Sequence, residues 1–358
     1  MVIKTPQVKT ILNDPAEAAR LINLVYVTNS KLTIKRHRRG KGFYYTKDGS
    51  KIVDKEALAR FKSLVIPPAW QKVKITHLKN GHLQVVGRDA KNRKQYRYHP
   101  QWTEVRNKTK FFKMASFGNI LPQIRNRIDN DLKLPTMTKR KCLALVVSLM
   151  EETHIRIGNE YYAKQNKTYG LSTLRTKHIE VFDNKLKFEF VGKKGKEHSV
   201  TLKNKKLQKL VLRCEEIPGW ELFKYYDENG KHHSIDSGMV NDYIQEISGD
   251  LFSAKDFRTW AASKIFFETL YEFGIPETKK QKEENIIAAY DMAAKGLGNT
   301  RAVCKKYYVH PILPEKYLDN SIEKHFKELD KNEFSNKQLS PTESVMLDIL
   351  NQFTIVLK

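Results

Sequence analysis

The chain has 358 residues, enough for one large domain or two ordinary ones, and this length favours two. A formal net charge of +25 attracts polyanions through its field alone, so nucleic acid is the first partner to consider. No apolar run reaches the ~18 residues that a membrane-spanning helix needs, and the three cysteines are scattered without Cys-x-x-Cys spacing. We therefore expect a cytoplasmic protein in a reducing compartment, without membrane contact and without a metal site.

The N-terminal third shows the signals of strands and tight turns. Asp14 and Pro15 predict a short helix that continues to Val25, since proline favours the first helical position. Two Asx-Gly pairs, Asp48-Gly49 and Asn80-Gly81, are typical of hairpin turns because they supply a positive φ. Asp54 is a candidate N-cap for "KEALARFKSL", and "IPPAW" predicts an extended stretch. These patterns indicate a small sheet with one or two helices.

The hydrophobic period becomes helical beyond about residue 105. Helical spacing is found in "LPQIRNRIDNDL", "KRKCLALVVSLMEETHIRIGNEYYA", "DSGMVNDYIQEI", "AKDFRTWAASKIFFETLYEF" and "KEENIIAAYDMAAKGL". One insertion, "HIEVFDNKLKFEFVGKKGKEHSVTL", alternates like a sheet, with turns at Asp183-Asn184 and at 192–195. A capping box at Ser340 to Glu343 predicts a last helix. We expect an α+β chain with a β-rich domain over 1–104 and a mainly helical domain over 105–358.

Two arginines are found on helical patterns where apolar residues are expected. Continuing the apolar face of "KCLALVVSLMEETHIRIGNEYY" by threes and fours reaches Arg156, which needs either Glu152 or Glu160 as a partner or a cleft that holds an anion. Arg258 lies near the start of the next candidate helix. It fits a phosphate site there, and equally an ion pair with Asp256 or a stack on the following tryptophan.

"GNTRAVCKKYYVHP" contains two adjacent tyrosines behind Lys305 and Lys306. A neutral phenol with an ordinary pKa of ~10 is a weak nucleophile, so a reactive tyrosine needs cations nearby. Local chemistry does not separate Tyr307 from Tyr308. Lys193 and Lys194 lie in the 192–195 turn, where a lysine is usually only solvated.

The segment "GRDAKNRKQYRYHP" interleaves cations with Tyr96 and Tyr98. Such a pattern suits contacts with the nucleic-acid backbone together with aromatic stacking. His232-His233 lacks a second pair of ligands, and the P-loop pattern for ATP use does not occur.

These motifs, in this order, resemble the short type IB DNA topoisomerases of poxviruses and bacteria over nearly the whole chain. Within "THIRIGNEYYAKQNKTYGLSTLRTKHI" and "FVGKKGK" the resemblance implies catalytic roles for Arg156 and Lys193. "KDFRTWAA" and "LGNTRAVCKKYYVHP" assign the second arginine to Arg258 and the nucleophile to Tyr308. The DNA contacts that it implies are Gln95, Tyr96, Tyr98, Asn159, Tyr162, Lys305 and Lys306.

One position departs from the poxvirus pattern. Asn299 stands where poxvirus enzymes carry a histidine after the glycine. An amide still donates a hydrogen bond to a phosphate oxygen but carries no charge, and the bacterial branch resembles this version.

The resemblance implies a monomer that clamps double-stranded DNA and relaxes supercoils without ATP, metal or other cofactor. The chain would act in the cytoplasm, on the nucleoid if the source is bacterial. Tyrosine recombinases share the chemistry but typically carry the pattern H-x-x-R at the second arginine, where this chain has Lys255-Asp256-Phe257-Arg258. A non-catalytic DNA-binding protein would show the same charge, and it stays an open alternative.

Overall fold

A computed structural model describes residues 2–3, 14–183, 185–249, 252–331, 338–353 and 355–356. The chain forms two compact units, one of Met1–Phe112 with Thr354–Lys358 and the other of Lys113–Phe353. A 32-residue helix, Pro100–Asp131, contributes its first part to the first unit and the remainder to the second. Both helices and strands are present, and the α+β class expected from the sequence is confirmed.

The first unit is built on an antiparallel sheet of six strands in the order β4-β3-β2-β5-β6-β7. Its strands and helices, with the short pair β1 and β13, are β1 (Val2–Ile3), α1 (Pro15–Leu21), β2 (Ile34–Arg39), β3 (Gly42–Lys47), β4 (Ser50–Lys51), α2 (Lys55–Ser63), β5 (Gln71–Ile75), β6 (Leu83–Arg88), β7 (Lys94–Tyr98), α3 (Pro100–Asp131) and β13 (Ile355–Val356). A core of Ile34, Phe61, Val73, Ile75 and Val85 joins α2 to one face of the sheet.

The two Asx-Gly pairs have different roles. Asp48 and Gly49, with φ of 50° and 83°, form the expected tight turn between β3 and β4. Asn80-Gly81 does lie between β5 and β6, but Gly81 has no positive φ. Glycine is required there because a Cβ would lie 2.7 Å from Val27 Cγ2. The prediction of a positive φ was therefore wrong at this pair.

The helix predicted from Asp14 to Val25 is shorter than expected. Asp14 accepts hydrogen bonds from the backbone N–H groups of Ala16 and Glu17, as a helix N-cap does. The helix nevertheless ends at Leu21, because the following residues leave helical geometry and Asn23 takes a φ of 58°. Asp54 caps α2 as predicted.

The second unit is mainly helical and contains the inserted sheet. Its elements after α3 are α4 (Lys139–Thr153), α5 (Glu160–Asn166), β8 (Ile179–Phe182), β9 (Lys185–Val191), β10 (Glu197–Leu202), α6 (Lys205–Glu215), β11 (Lys224–Tyr226), β12 (His232–Ser234), α7 (Ser237–Ser248), α8 (Ala254–Phe273), α9 (Lys279–Leu297), α10 (Arg301–Tyr307), α11 (Ile312–Leu318), α12 (Glu323–Asp330) and α13 (Pro341–Asn351).

The insertion forms a three-stranded antiparallel sheet in the order β10-β9-β8. Leu186, Phe188 and Phe190 alternate along β9 and are buried, as the sequence pattern predicts. Lys193–Gly195 is the turn between β9 and β10. Asp183 lies in the other predicted turn, whose Asn184 is outside the described residues.

The central helix α4 is buried around its circumference and ends earlier than its apolar pattern suggests. His154 caps its C-terminus in the left-handed conformation with a φ of 55°, and its N–H donates to Met150 O. Arg156 therefore lies in a non-helical segment and not on the inward face of a helix. Gly158, with a φ of 95°, is likewise outside any helix. The single predicted helix is two helices, α4 and α5.

An ion-pair network attaches the last helix to the second unit. Ser340 and Glu343 form the predicted capping box at the start of α13. The Glu343 carboxylate is also bound at both oxygens by Arg125, at 2.8 and 2.9 Å, and accepts a hydrogen bond from Trp260. Burial raises the pKa of Glu343, but the hydrogen bonds and charge of Arg125 outweigh burial and bring the pKa to about 2.

All three cysteines are free and buried. Within the described part of the chain, no helix is both long and apolar enough to cross a bilayer.

Candidate active site

Arg156 lies in the non-helical segment that follows α4, and a short 3₁₀ helix, Leu171–Thr173, braces this segment. The N–H groups of Leu171 and Ser172 donate to the carbonyls of Arg156 and Ile157, at 2.8 and 2.7 Å. Gly170 allows this approach, because a Cβ there would lie 2.4 Å from Arg156 O. The backbone that carries Arg156 is thus fixed by close packing that only glycine permits.

Arg156 does not pair with either of the glutamates considered for it. Its guanidinium donates to Asn299 Oδ1. Because arginine can only donate, this contact orients the amide so that Asn299 Nδ2 is the free donor. The Nδ2 atom is buried and has no oxygen or nitrogen acceptor among the described residues, and its neighbour is the Cys304 thiol, a weak acceptor. Arg156 and Asn299, which are 143 residues apart, together present donors to one place.

Asn299 is placed by the turn between α9 and α10. Gly298 ends α9 in the left-handed conformation, with a φ of 61°, and the Asn299 N–H donates to Ala294 O at 2.8 Å. Thr300 then caps α10. The turn therefore fixes the Asn299 backbone on both sides.

Arg258 begins the second turn of α8 and is only 5% exposed. Its guanidinium donates to two backbone carbonyls, those of His154 and of Leu297, the second at 2.8 Å. Its Nε is buried without a partner among the described residues. Burial and then the charge of Arg156 lower the pKa of Arg258 to about 10, with a smaller opposing effect from Tyr308. Asp256, considered as its partner, binds Lys113 instead.

Tyr308 is the C-cap residue that follows α10, and its ring lies beside Arg258. The guanidinium carbon of Arg258 is 5.8 Å from the centre of the ring. Ser263 Oγ fixes the backbone at this point, because it lies 3.3 Å from Tyr308 O and accepts from the N–H of His310 at 3.0 Å. Tyr308 is half-buried, whereas Tyr307 is 42% exposed beside Lys306. Of the two tyrosines, Tyr308 is the one against the arginine cluster.

Lys193 lies at the exposed tip of the β9–β10 hairpin, as the sequence suggested. The same hairpin approaches the turn of Asn299, since Lys196 Nζ is 3.7 Å from where a Gly298 Cβ would be. Lys193 is thus carried by a hairpin that contacts the arginine–asparagine cluster, with its own side chain in solvent.

The remaining candidates of the second unit are on its surface. Asn159 caps α5, accepting a hydrogen bond from the Tyr161 N–H, and Tyr162 is 46% exposed on the same helix. Lys305 and Lys306 are exposed on α10. These side chains are accessible to a ligand as large as DNA.

In the first unit, Gln95, Tyr96 and Tyr98 belong to the edge strand β7. The two tyrosine rings stack at 5.9 Å with an interplanar angle of 15° and are about half exposed, at 43% and 45%. Gln95 donates to Asp89, whose pKa is lowered to about 2, chiefly by the hydrogen bond from Arg93. The strand therefore presents an aromatic surface beside cations.

Sequence reasoning missed the groups that fix the cluster. No sequence pattern identifies the carbonyls of His154 and Leu297 or the hydroxyl of Ser263, because backbone and serine oxygens accept hydrogen bonds throughout proteins. Cys304 is a further case. Burial raises the pKa of this thiol, and Arg258 and Asn299 partly oppose the rise. The one feature of the sequence that could have indicated Cys304 is its position four residues before Tyr308, about one helical turn away.

No group of three or more metal-ligating side chains occurs among the residues that the structure describes. The candidate cluster consists of two arginines, an amide and a phenol, with a lysine on the adjoining hairpin. Such a set suits an anion with several oxygens, such as a phosphodiester.

Comparisons with known proteins agree with this chemistry. The profile described as "Eukaryotic DNA topoisomerase I, catalytic core" matches residues 94–335, and "Bacterial DNA topoisomerase IB, N-terminal domain" matches residues 42–89. The "DNA topoisomerase 1B" of Acanthamoeba polyphaga mimivirus is 32% identical over 80% of this chain and 88% of its own length. That of Vaccinia virus (strain Copenhagen) is 26% identical over 66% of this chain and 73% of its own length. A chain with these matches belongs to the type IB DNA topoisomerase family.

Proposed function

We propose that the protein relaxes supercoiled double-stranded DNA by cleaving one strand transiently through Tyr308. The observation that carries the proposal is the convergence of Arg156, Arg258 and Asn299 beside this tyrosine. These groups come from distant parts of the chain, and Arg258 Nε and Asn299 Nδ2 are buried donors without an oxygen or nitrogen acceptor among the described residues.

In the proposed reaction, the Tyr308 phenol gives its proton to solvent, and the resulting phenolate Oη attacks a phosphodiester. A bond forms between Oη and phosphorus, and the bond from phosphorus to the 5′-oxygen breaks. The products are a 3′-phosphotyrosyl link and a free 5′-hydroxyl, so one phosphodiester has replaced another. Because the bond energy is retained, religation needs no ATP.

Two arginines and an amide act on the charge that builds on the non-bridging oxygens. Arg156 and Arg258 supply cationic donors, and Asn299 Nδ2 supplies a neutral one. Donors fixed before the reaction need no reorganisation, and removal of one costs about 10² to 10³ in rate. These cations provide the stabilisation that a divalent metal would otherwise provide.

The departing 5′-oxygen needs a proton, because an alkoxide is a poor leaving group. Lys193 is the proposed general acid, assisted by Arg156, and a group in this role contributes about 10² to 10⁴ in rate. In religation the 5′-hydroxyl attacks phosphorus, its proton returns to Lys193, and Tyr308 leaves as a phenolate that takes a proton back from solvent.

Between the two steps, the DNA downstream of the break rotates and the supercoils are released. We propose that a monomer clamps the upstream duplex, with an N-terminal domain over 1–104 and a catalytic domain over 105–358. Gln95, Tyr96, Tyr98, Asn159, Tyr162, Lys305 and Lys306 would contact the DNA.

The test is relaxation of supercoiled plasmid in EDTA without nucleotide, followed by denaturant trapping of a covalent complex. We expect relaxation and a covalent adduct on one strand. A protein that binds the plasmid but gives neither would contradict the proposal, and joining of paired sites with little relaxation would indicate a recombinase.

A further inference from the structure

His198, on β10, occupies the space between the hairpin of Lys193 and the turn of Asn299. It pairs with Phe190 across the hairpin, and the two rings are stacked at 4.9 Å with an interplanar angle of 6°. The stack fixes the plane of the imidazole.

The imidazole lies directly against the backbone at Gly192, the residue before Lys193. A Cβ at Gly192 would be 2.6 Å from His198 Cδ2 and 2.7 Å from Nε2. Gly192 has a φ of −97°, which any residue adopts, so backbone strain does not require glycine here. The ring itself excludes a larger residue.

The other side of the same ring faces Gly298, the residue before Asn299. A Cβ there would lie 3.0 Å from His198 Cε1. One imidazole therefore contacts both turns, and each turn continues into a residue of the proposed reaction.

We propose that His198 is a positioning residue that keeps the Lys193 turn in register with the Asn299 turn. The inference rests on the proposed function, because it assumes that Lys193 protonates the 5′-oxygen. Burial, and then the charges of Arg156, Lys196 and Arg258, lower the pKa of His198. A neutral ring thus separates these cations without adding a fourth charge.

Loss of the ring would affect proton delivery more than phosphate binding. Asn299 is also fixed by Arg156 and by its own backbone hydrogen bond, whereas Lys193 is exposed at the hairpin tip. A catalytic group displaced by about 1 Å can lose about 10²-fold in rate.

The experiment compares two DNA substrates that differ in one atom, oxygen or sulfur at the bridging 5′ position of the cleavage site. A thiolate leaves without protonation, since a thiol has a pKa of ~8.5. We expect His198→Ala to form the covalent adduct about 10²-fold more slowly on the oxygen substrate. It should approach the wild-type rate on the sulfur substrate. His232→Ala, at the exposed start of β12, is the matched control and should equal wild type on both.

Equal rates of His198→Ala and wild type on both substrates would overturn the inference, as would an equal loss on both. Lys193→Ala separates the two proposals. If sulfur rescues Lys193→Ala but not His198→Ala, only the inference fails. If sulfur rescues neither variant, the acid role of Lys193 fails, and the inference fails with it.

If His198→Ala folds poorly, Gly192→Ala is the second variant, because its Cβ displaces the ring. It should show the same rescue by sulfur, and its absence would contradict the inference.

Discussion

Tyr307 and Tyr308 are adjacent and follow the same lysines, yet their surroundings differ. Tyr308 is half-buried against Arg258, and Tyr307 is exposed beside Lys306. Adjacent residues at the end of a helix project in directions about 100° apart. Only one of the two tyrosines can therefore reach a given phosphate site.

Tyr308→Phe should abolish both the covalent adduct and plasmid relaxation, because the attacking oxygen is removed while the ring remains. DNA binding, measured by fluorescence anisotropy, should persist. Tyr307→Phe is the matched control and should retain adduct formation. Loss of the adduct in Tyr307→Phe with retention in Tyr308→Phe would reverse the assignment.

Asn299 can offer the substrate only its NH₂ group, because Arg156 binds the amide oxygen. We expect Asn299→Ala to slow adduct formation by about 10²-fold in single-turnover assays. Asn299→Asp should be slower still, since a carboxylate would repel the phosphate. Asn229→Ala, in an exposed turn, is the matched control and should leave the rate of adduct formation unchanged. Wild-type rates for Asn299→Ala would remove this residue from the reaction.

At the level of elements, the sequence predicted those that local chemistry determines. The capping box of Ser340 and Glu343 depends only on residues three positions apart. The alternation along β9 depends only on one face of the strand being buried. The break after Thr153 was not predictable in this way, because His154 enters the left-handed conformation despite a helical pattern on both sides. The motif resemblance found both Arg156 and Asn299, but their contact with each other depends on packing between distant segments.

The capping residue Glu343 gives a prediction about helix α13. Its folded pKa of about 2 lies below the ordinary 4.5, so the carboxylate stabilises the fold above pH ~4.5 and this stability is lost as the pH falls towards 2. Glu343→Gln should lower the free energy of unfolding by about 3 kcal/mol at neutral pH, because Arg125 is left half-paired. Its stability should also fall less between pH 5 and pH 3 than that of wild type.

Chemical denaturation measures both effects. Glu323→Gln is the matched control, since its exposed ion pair with Lys327 should contribute less than about 1 kcal/mol. Equal losses in the two variants would contradict the role given to the Arg125–Glu343 pair.

The whole molecule carries a net charge of +25, so its affinity for DNA should depend steeply on salt. Each phosphate that the protein neutralises contributes about −0.9 to the slope of the logarithm of the DNA-binding constant against the logarithm of the salt concentration. If Lys305 and Lys306 each contact a phosphate, replacing both with alanine should reduce the slope by about 2. Anisotropy titrations at several salt concentrations measure it. Replacing Lys279 and Lys331, also exposed, is the control for a mere loss of charge.

The hydrogen bonds of Arg156 and Arg258 have a consequence for the balance between stability and activity. Both guanidinium groups donate to an amide or to backbone carbonyls, so their mutual repulsion is not neutralised by the contacts that the structure shows. Evolution retains such destabilising groups where a reaction requires them. Arg156→Met should therefore leave thermal stability unchanged or raise it, while adduct formation falls. A less stable Arg156→Met variant would mean that the arginine supports the fold as well as the reaction.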